Sequence, residues 1–396
     1  MKKQLLHTPE GVRDIYNEEC EKKLSLQSDL LGILKGYGYH PIQTPTFEFF
    51  DIFGKEIGTT PSKELYKFFD REGNTLVLRP DMTPSIARAA AKYFMDEDMP
   101  IRLCYMGNTF INNSSYQGRL KESTQLGAEL IGDSTVDADA EILSMTVECL
   151  QKAGLKDFQL SVGHADFFQG LVEAAGICEE DEEELRELLA NKNFFGVEEF
   201  AETLNLKAEL NELFHMLGSL NVDLNDLKRA KELAASYPRI LAAIHNLEEL
   251  HKVLEVYGIQ KYISFELGII SSYQYYTGII FSGYTFGSGE PIVKGGRYDK
   301  LLTYYGKTSA SIGFAIVIDQ LMAALSRQKI NISIETNGEL IVYTKANQAK
   351  AILSAKEKRA AGTPVETILK DDTKTNEDYQ NYAKRNRIRT VTFMED

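Results

Sequence analysis

There is no tryptophan in this 396-residue chain, and its four cysteines stand apart at positions 20, 104, 149 and 178. They form no CxxC pair and no regular framework, which argues against a disulfide scaffold and fits reduced thiols in a cytosol. Histidine is scarce too. His245 and His251 lie six apart rather than four, and HExxH is missing, so no metal site is expected. Positive charge is in the minority, with 44 Lys and Arg against 58 Asp and Glu and a formal net charge of -14. A tRNA-sized partner is disfavoured, because phosphate binders usually carry a basic patch. No run approaches the length of a membrane span, and the opening MKKQLLHTPEGVRD has too few apolar residues for a signal peptide. A cytoplasmic protein without membrane contact is expected. GKTS at 306–309 would need Gly at 301 to form a phosphate-binding loop, but Leu301 stands there. GxSxG is absent and GSGEPIVKGG has the wrong spacing for GxGxxG, so no cofactor is expected.

With 43% hydrophobic and 26% charged residues, the chain can bury at least one sizeable core, and its length suggests two or three domains. Residues 17 to about 37 repeat apolar positions at helical spacing and stop at Gly36 and Gly38, predicting a helix and then a strand over 39–50. Short β-rich segments follow (NTLVLRP, PIRLCYMGNTF, KESTQLGAELIG), then a helix at about 137–153 and the strand DFQLSVGH. Their order suggests a mostly antiparallel sheet carrying helices. Acidic helical sequence from about 171 to 260 predicts an insertion within this larger domain, before β-rich sequence resumes at 262–320. From 336 to 396 strand and helix alternate, predicting a small α/β domain.

Three stretches carry candidate chemistry. In residues 122–131, Leu126, Ala128 and Leu130 share one strand face, while Ser123, Gln125, Gly127 and Glu129 share the other. A small ligand with an amine or imidazole could lie over Gly127, between amide and carboxylate; the alternative is a solvated face with a bulge-forming glycine. TLVLRPDMT delivers Arg79, Asp81 and Thr83 at the end of an apolar strand, either into a site or into a turn with an exposed salt bridge. YQYYTGIIF and VKGGRYDKL bring Tyr276 and Tyr298 near two glycines, the alternative being ordinary core tyrosines.

PEGVRDIY, GYHPIQTPTFE, LRPDMT, the 107–132 hairpin, YYTGIIF, GGRYDKL and SIGFAI resemble, in that order, the catalytic core of histidyl-tRNA synthetase, a class II aminoacyl-tRNA synthetase. The resemblance covers about residues 8–325. It implies an α+β fold whose core spans residues 1–325: an antiparallel sheet of about six strands flanked by helices, with the helical insertion at about 171–260. It also implies a homodimer joined partly around Pro45. The segment 336–396 resembles a truncated anticodon-binding domain.

The departures bear on activity. Where the family pattern has an arginine and then a glutamate gripping ATP, this chain has Ile111 and Asn113; Ser271 replaces a catalytic arginine, and Gln320 a third. A preorganised cation is worth about 10²- to 10³-fold in rate, so losing three should cost on the order of 10⁵-fold or more. The positions that the family uses for histidine mostly remain: Asp81, Thr83, Gln125, Glu129, Tyr276 and Tyr298. Arg119 is the candidate partner of the α-carboxylate in place of Ser271, the alternative being a solvated loop arginine. This combination resembles the regulatory subunits of ATP phosphoribosyltransferase. It implies no catalytic residue of its own, histidine as effector, and a short-form catalytic subunit as the partner that is inhibited and activated in the first step of histidine biosynthesis. The alternatives are a divergent active synthetase and a freestanding histidine sensor.

Overall fold

The structure, a computed structural model, describes residues 6–54, 60–113, 120–270, 275–334 and 337–395. Two compact units result: residues up to Asp14 with Leu26–Asn331, and Ile15–Ser25 with Ile332 onward. Helix α1 (Asn17–Gly36) buries Leu26, Leu30 and Leu34 at helical spacing, and Gly38, at φ +83°, turns the chain away.

The strand expected over 39–50 is interrupted. Only β1 (His40–Pro41) and β2 (Phe47–Phe49) form, because Pro41 and Pro45 remove backbone donors and end continuous pairing. With β3 (Lys67–Phe69) and β4 (Thr75–Leu78), β2 makes a small antiparallel sheet in the order β2-β4-β3. Helix α2 (Thr83–Tyr93) follows.

Next come β5 (Ile101–Phe110), β6 (Glu122–Ile131), α3 (Val136–Lys152) and β7 (Phe158–His164). Six helices then run from α4 (Ala165–Ala175) through α5 (Glu179–Ala190), α6 (Phe194–Thr203), α7 (Ala208–His215) and α8 (Leu224–Leu233) to α9 (Pro238–Tyr257). After them lie β8 (Ile263–Phe265), β9 (Ile279–Thr285), β10 (Val293–Arg297), β11 (Ser311–Val317) and α10 (Ile318–Arg327).

The main sheet has the order β1-β5-β6-β11-β10-β9-β7-β8. Its six inner strands are antiparallel, and the short edge strands β1 and β8 pair in parallel. Alternation assigns its faces. Leu126, Ala128 and Leu130 are fully buried on the face where α3 packs against β6 and β11, so Gln125, Gly127 and Glu129 point to the other side.

The second unit contains β12 (Glu339–Tyr343), α11 (Gln348–Ala360), β13 (Val365–Leu369), α12 (Asn376–Arg385) and β14 (Thr390–Met394). Its strands form a parallel sheet in the order β13-β12-β14. Among the described residues no helix is long and apolar enough to cross a membrane.

Candidate functional site

The turn before α2 is fixed from beneath. Arg79 is buried and donates to three backbone carbonyls: Nε to Asn108 O at 2.8 Å, and Nη1 to Thr44 O at 2.8 Å and Pro45 O at 3.1 Å. It is therefore not the exposed turn arginine of one sequence alternative. By tying the end of β4 to β5 and to the Pro45 segment, it sets where Asp81 and Thr83 emerge onto the sheet.

Thr83 Oγ1 donates to Glu129 Oε1 at 2.9 Å, and the Tyr298 hydroxyl donates to Glu129 Oε2 at 2.5 Å. Glu129 sits on β6, directly opposite Gly313 of β11, where an added Cβ would lie 1.6 Å from Glu129 Oε2. The glycine is what admits the carboxylate. Asp81 Oδ1 accepts from the Met82 amide at 2.8 Å, and its Oδ2 from the Tyr275 hydroxyl at 3.4 Å.

Burial sets the electrostatics. Loss of water pushes the Glu129 carboxyl up to about 8; hydrogen bonds from Tyr298 and Thr83 oppose the shift, and the neighbouring Asp81 charge adds to it. Asp81 is also raised by burial, against the Met82 and Thr83 amides, the Tyr275 hydroxyl and the Lys294 charge. Burial likewise holds the Tyr298 hydroxyl well above the ordinary tyrosine range. Two buried acids side by side favour a ligand that brings N–H donors and positive charge.

Asp81, Thr83, Gln125, Glu129, Tyr276 and Tyr298 all line one narrow cleft. Gln125 Oε1 is buried in it without a hydrogen-bond partner among the described residues. The Tyr276 ring lies over Gly296, where a Cβ would come within 2.8 Å of it, and leans on Tyr275 at 4.9 Å between ring centres.

One expectation needs correction. The space over Gly127 is filled: Tyr105, its cross-strand partner on β5, places its hydroxyl 2.6 Å from where a Cβ would stand, and the Phe314 carbonyl lies 2.0 Å from that point. Gly127 permits this packing, and the floor of the cleft lies one strand over, at Gly313 and Ala315. Alternation along one strand cannot reveal what the neighbouring strand puts over a glycine.

Arg119 and Ser271 fall outside the described residues. Ile111 pairs its amide with Lys121 O at 2.9 Å, and Asn113 Nδ2 reaches Leu120 O at 3.5 Å, so both serve the base of the hairpin loop. Gln320 lies in the first turn of α10, where Asp319 Oδ2 accepts from the Thr124 amide at 2.7 Å. Tyr275 and Lys294 also line the cleft. Their place inside YYTGIIF and VKGGRYDKL was the available signal, but the sequence reading gave roles only to Tyr276 and Tyr298.

A second, wider cleft lies beyond Tyr276 and carries Arg186, Arg239 and Lys300. Both arginines are already matched to carboxylates, Arg186 Nε to Glu182 at 2.8 Å and Arg239 Nε to Asp166 at 2.8 Å.

The family model described as histidyl-tRNA synthetase matches residues 11–321. A curated ATP phosphoribosyltransferase regulatory subunit of Acetivibrio thermocellus is 38% identical over 92% of this chain and 87% of that protein. Another, of Ruminiclostridium cellulolyticum, is 37% identical over 100% and 94%. Among solved structures, one titled ATP phosphoribosyltransferase regulatory subunit/histidyl-tRNA synthetase, from Bacillus halodurans, superimposes with a TM-score of 0.86 at 31% identity, covering 98% of both chains. Histidyl-tRNA synthetase from Nostoc sp. PCC 7120 superimposes with a TM-score of 0.79 at 19% identity, covering 97% and 90%. The expected class II arrangement, an antiparallel sheet flanked by helices, is the observed one.

Proposed function

Because the chain belongs to the ATP phosphoribosyltransferase regulatory subunits, a histidyl-tRNA synthetase-like family, we propose that it binds histidine around Glu129. It relays that occupancy to a separate, short-form catalytic subunit. The observation that carries this reading is the Glu129 carboxylate, buried at the end of a cleft and held by Thr83 and Tyr298. Each of its oxygens takes one hydroxyl and keeps acceptor capacity for an imidazole N–H. Asp81 and the unmatched Gln125 Oε1 suit an α-ammonium, and Tyr276 flanks the imidazole.

The polypeptide acts as an effector module and not as a synthetase. Ile111, Asn113 and Gln320 supply no cation for a nucleotide triphosphate. Feedback then needs only a coupling of about 1 to 3 kcal/mol between this cleft and the partner's active site, and by linkage the partner must shift histidine affinity equally. The subunit also activates its partner, and it works in the cytoplasm without tRNA.

The assembly is built on a homodimer. Phe47 and Phe49 of β2, 52% and 56% exposed, share a face with Phe68 of β3, whose ring meets Phe47 edge-on at 5.8 Å. Such an aromatic face suits a second copy of the chain. Phe49→Glu should shift sedimentation from dimer to monomer; an unchanged profile places the dimer contact elsewhere.

Titration calorimetry with histidine and with ATP separately tests the effector reading, followed by addition of the purified short catalytic subunit. Histidine binding that changes in the presence of the partner supports it. ATP-dependent histidyl-adenylate formation overturns it in favour of a working synthetase.

A further inference from the structure

Lys294 stands on β10 opposite Ala315 of β11, which stands opposite Gly127 of β6. One row along, Gly296, Gly313 and Glu129 face each other across the same three strands. Cross-strand partners share a sheet face, as do residues two apart, so Lys294 projects from the same face as Glu129. Two strand spacings and a two-residue offset put their Cα atoms roughly 12 Å apart. Between them the floor is Ala315, beside Gly313 under the Glu129 carboxylate. The cleft thus has an acid at one end and an amine at the other.

The ammonium is not committed elsewhere. Among the described residues no ion pair of Lys294 with a carboxylate is found, and the residue is exposed. The plain alternative is that it exists to neutralise buried Asp81, whose carboxyl it does draw downward. Both Asp81 oxygens, however, are already engaged, by the Met82 amide and the Tyr275 hydroxyl, and the lysine remains at a distance.

We propose that Lys294 is the specificity residue for the effector's α-carboxylate, holding that group at the end of the cleft opposite Glu129. The inference rests on the histidine reading above and sharpens it: the effector must be a free amino acid, with its basic side chain at Glu129, its ammonium near Asp81 and Gln125, and its carboxylate on Lys294. A flexible ammonium suits this task as a point charge that follows the ligand. Amines that lack the carboxylate forgo this contact and bind more weakly.

Calorimetry on the full chain tests it with two ligands, histidine and histidinol, in which CH₂OH replaces the carboxylate. Wild type should bind histidinol about 10- to 100-fold more weakly than histidine, the range of one charge-assisted hydrogen bond. Lys294→Gln should lose the same factor toward histidine and leave histidinol affinity unchanged, so that the preference disappears. Unchanged histidinol affinity also reports an intact fold, and Lys294→Arg should recover part of the preference. Two results overturn the inference alone: a Lys294→Gln protein that still prefers histidine as wild type does, or one that weakens both ligands alike. If wild type binds neither ligand, the histidine reading fails first and this inference with it.

Discussion

Tyr298 donates its hydroxyl to Glu129 Oε2 at 2.5 Å across 169 positions of sequence, joining the end of β10 to β6 within the cleft. This hydrogen bond favours the ionised carboxylate, against the burial that favours the acid. In Tyr298→Phe the Glu129 carboxyl should therefore rise further, and fewer molecules at neutral pH present an acceptor to the imidazole. Histidine affinity should fall by about tenfold or more, the scale of a hydrogen bond to a charged group. Titration calorimetry checks this; an unchanged affinity would place the imidazole away from Glu129.

Glu129 also links stability to pH. Its carboxyl ionises near 4.5 in the unfolded chain and near 8 in the fold, so the folded protein keeps a proton that the unfolded chain has released. The stability due to the neutral acid is complete below about 4.5 and is lost as pH rises toward 8. Glu129→Gln removes this titration. Denaturation midpoints of the histidine-free proteins from pH 5 to 9 should show the variant gaining on wild type until about pH 8 and then running parallel. A constant difference would mean that Glu129 is already ionised in the free protein.

How much of this was legible before the fold was known depends on which strands a residue needs. The helices α1 and α3 follow from local periodicity, and the structure places them within a residue or so of the expected bounds; the strand-helix alternation near the C-terminus is local in the same way. Alternation in β6 assigned Gln125 and Glu129 to one face correctly, because that property belongs to a single strand. Gly127 was misjudged because its meaning lies in Tyr105 on β5 and Phe314 on β11, and cross-strand register is not written in either segment alone. Arg79 stays open in the sequence, between a site and an exposed turn, for the same reason: its carbonyl partners, Thr44, Pro45 and Asn108, come from elsewhere in the chain. The strand over 39–50 failed for a local reason, since two prolines within it outweigh its β-prone neighbours.

Gly313→Ala probes the cleft with a single methyl group. The new Cβ would fall 1.6 Å from Glu129 Oε2 and 2.6 Å from the Ala128 carbonyl, so the carboxylate must swing away from Tyr298 and Thr83. Overpacking of this kind typically costs about 1–3 kcal/mol, and the displaced acid loses both hydroxyl partners. Histidine binding should drop below detection in calorimetry while thermal melting still shows a cooperative fold. Binding retained at wild-type affinity would mean that the Glu129 position is not used.

Arg297, next to Gly296 in the same motif, serves the face of the sheet opposite the cleft. It donates to Asp139 Oδ1 of α3 through Nε at 3.0 Å and Nη2 at 2.5 Å, and to the Asp133 carbonyl at 2.9 Å. Burial raises the Asp139 carboxyl to about 6 in spite of the adjacent guanidinium, so removing that cation must raise it further. Arg297→Met should leave a buried acid unmatched and cost about 3–5 kcal/mol near pH 8. Because the orphaned Asp139 can take a proton, its penalty should shrink as pH falls toward 5, where both proteins hold the acid neutral. Urea denaturation of the two proteins at pH 5 and pH 8 measures the difference, and a deficit independent of pH would mean that the arginine stabilises α3 chiefly through its carbonyl contacts.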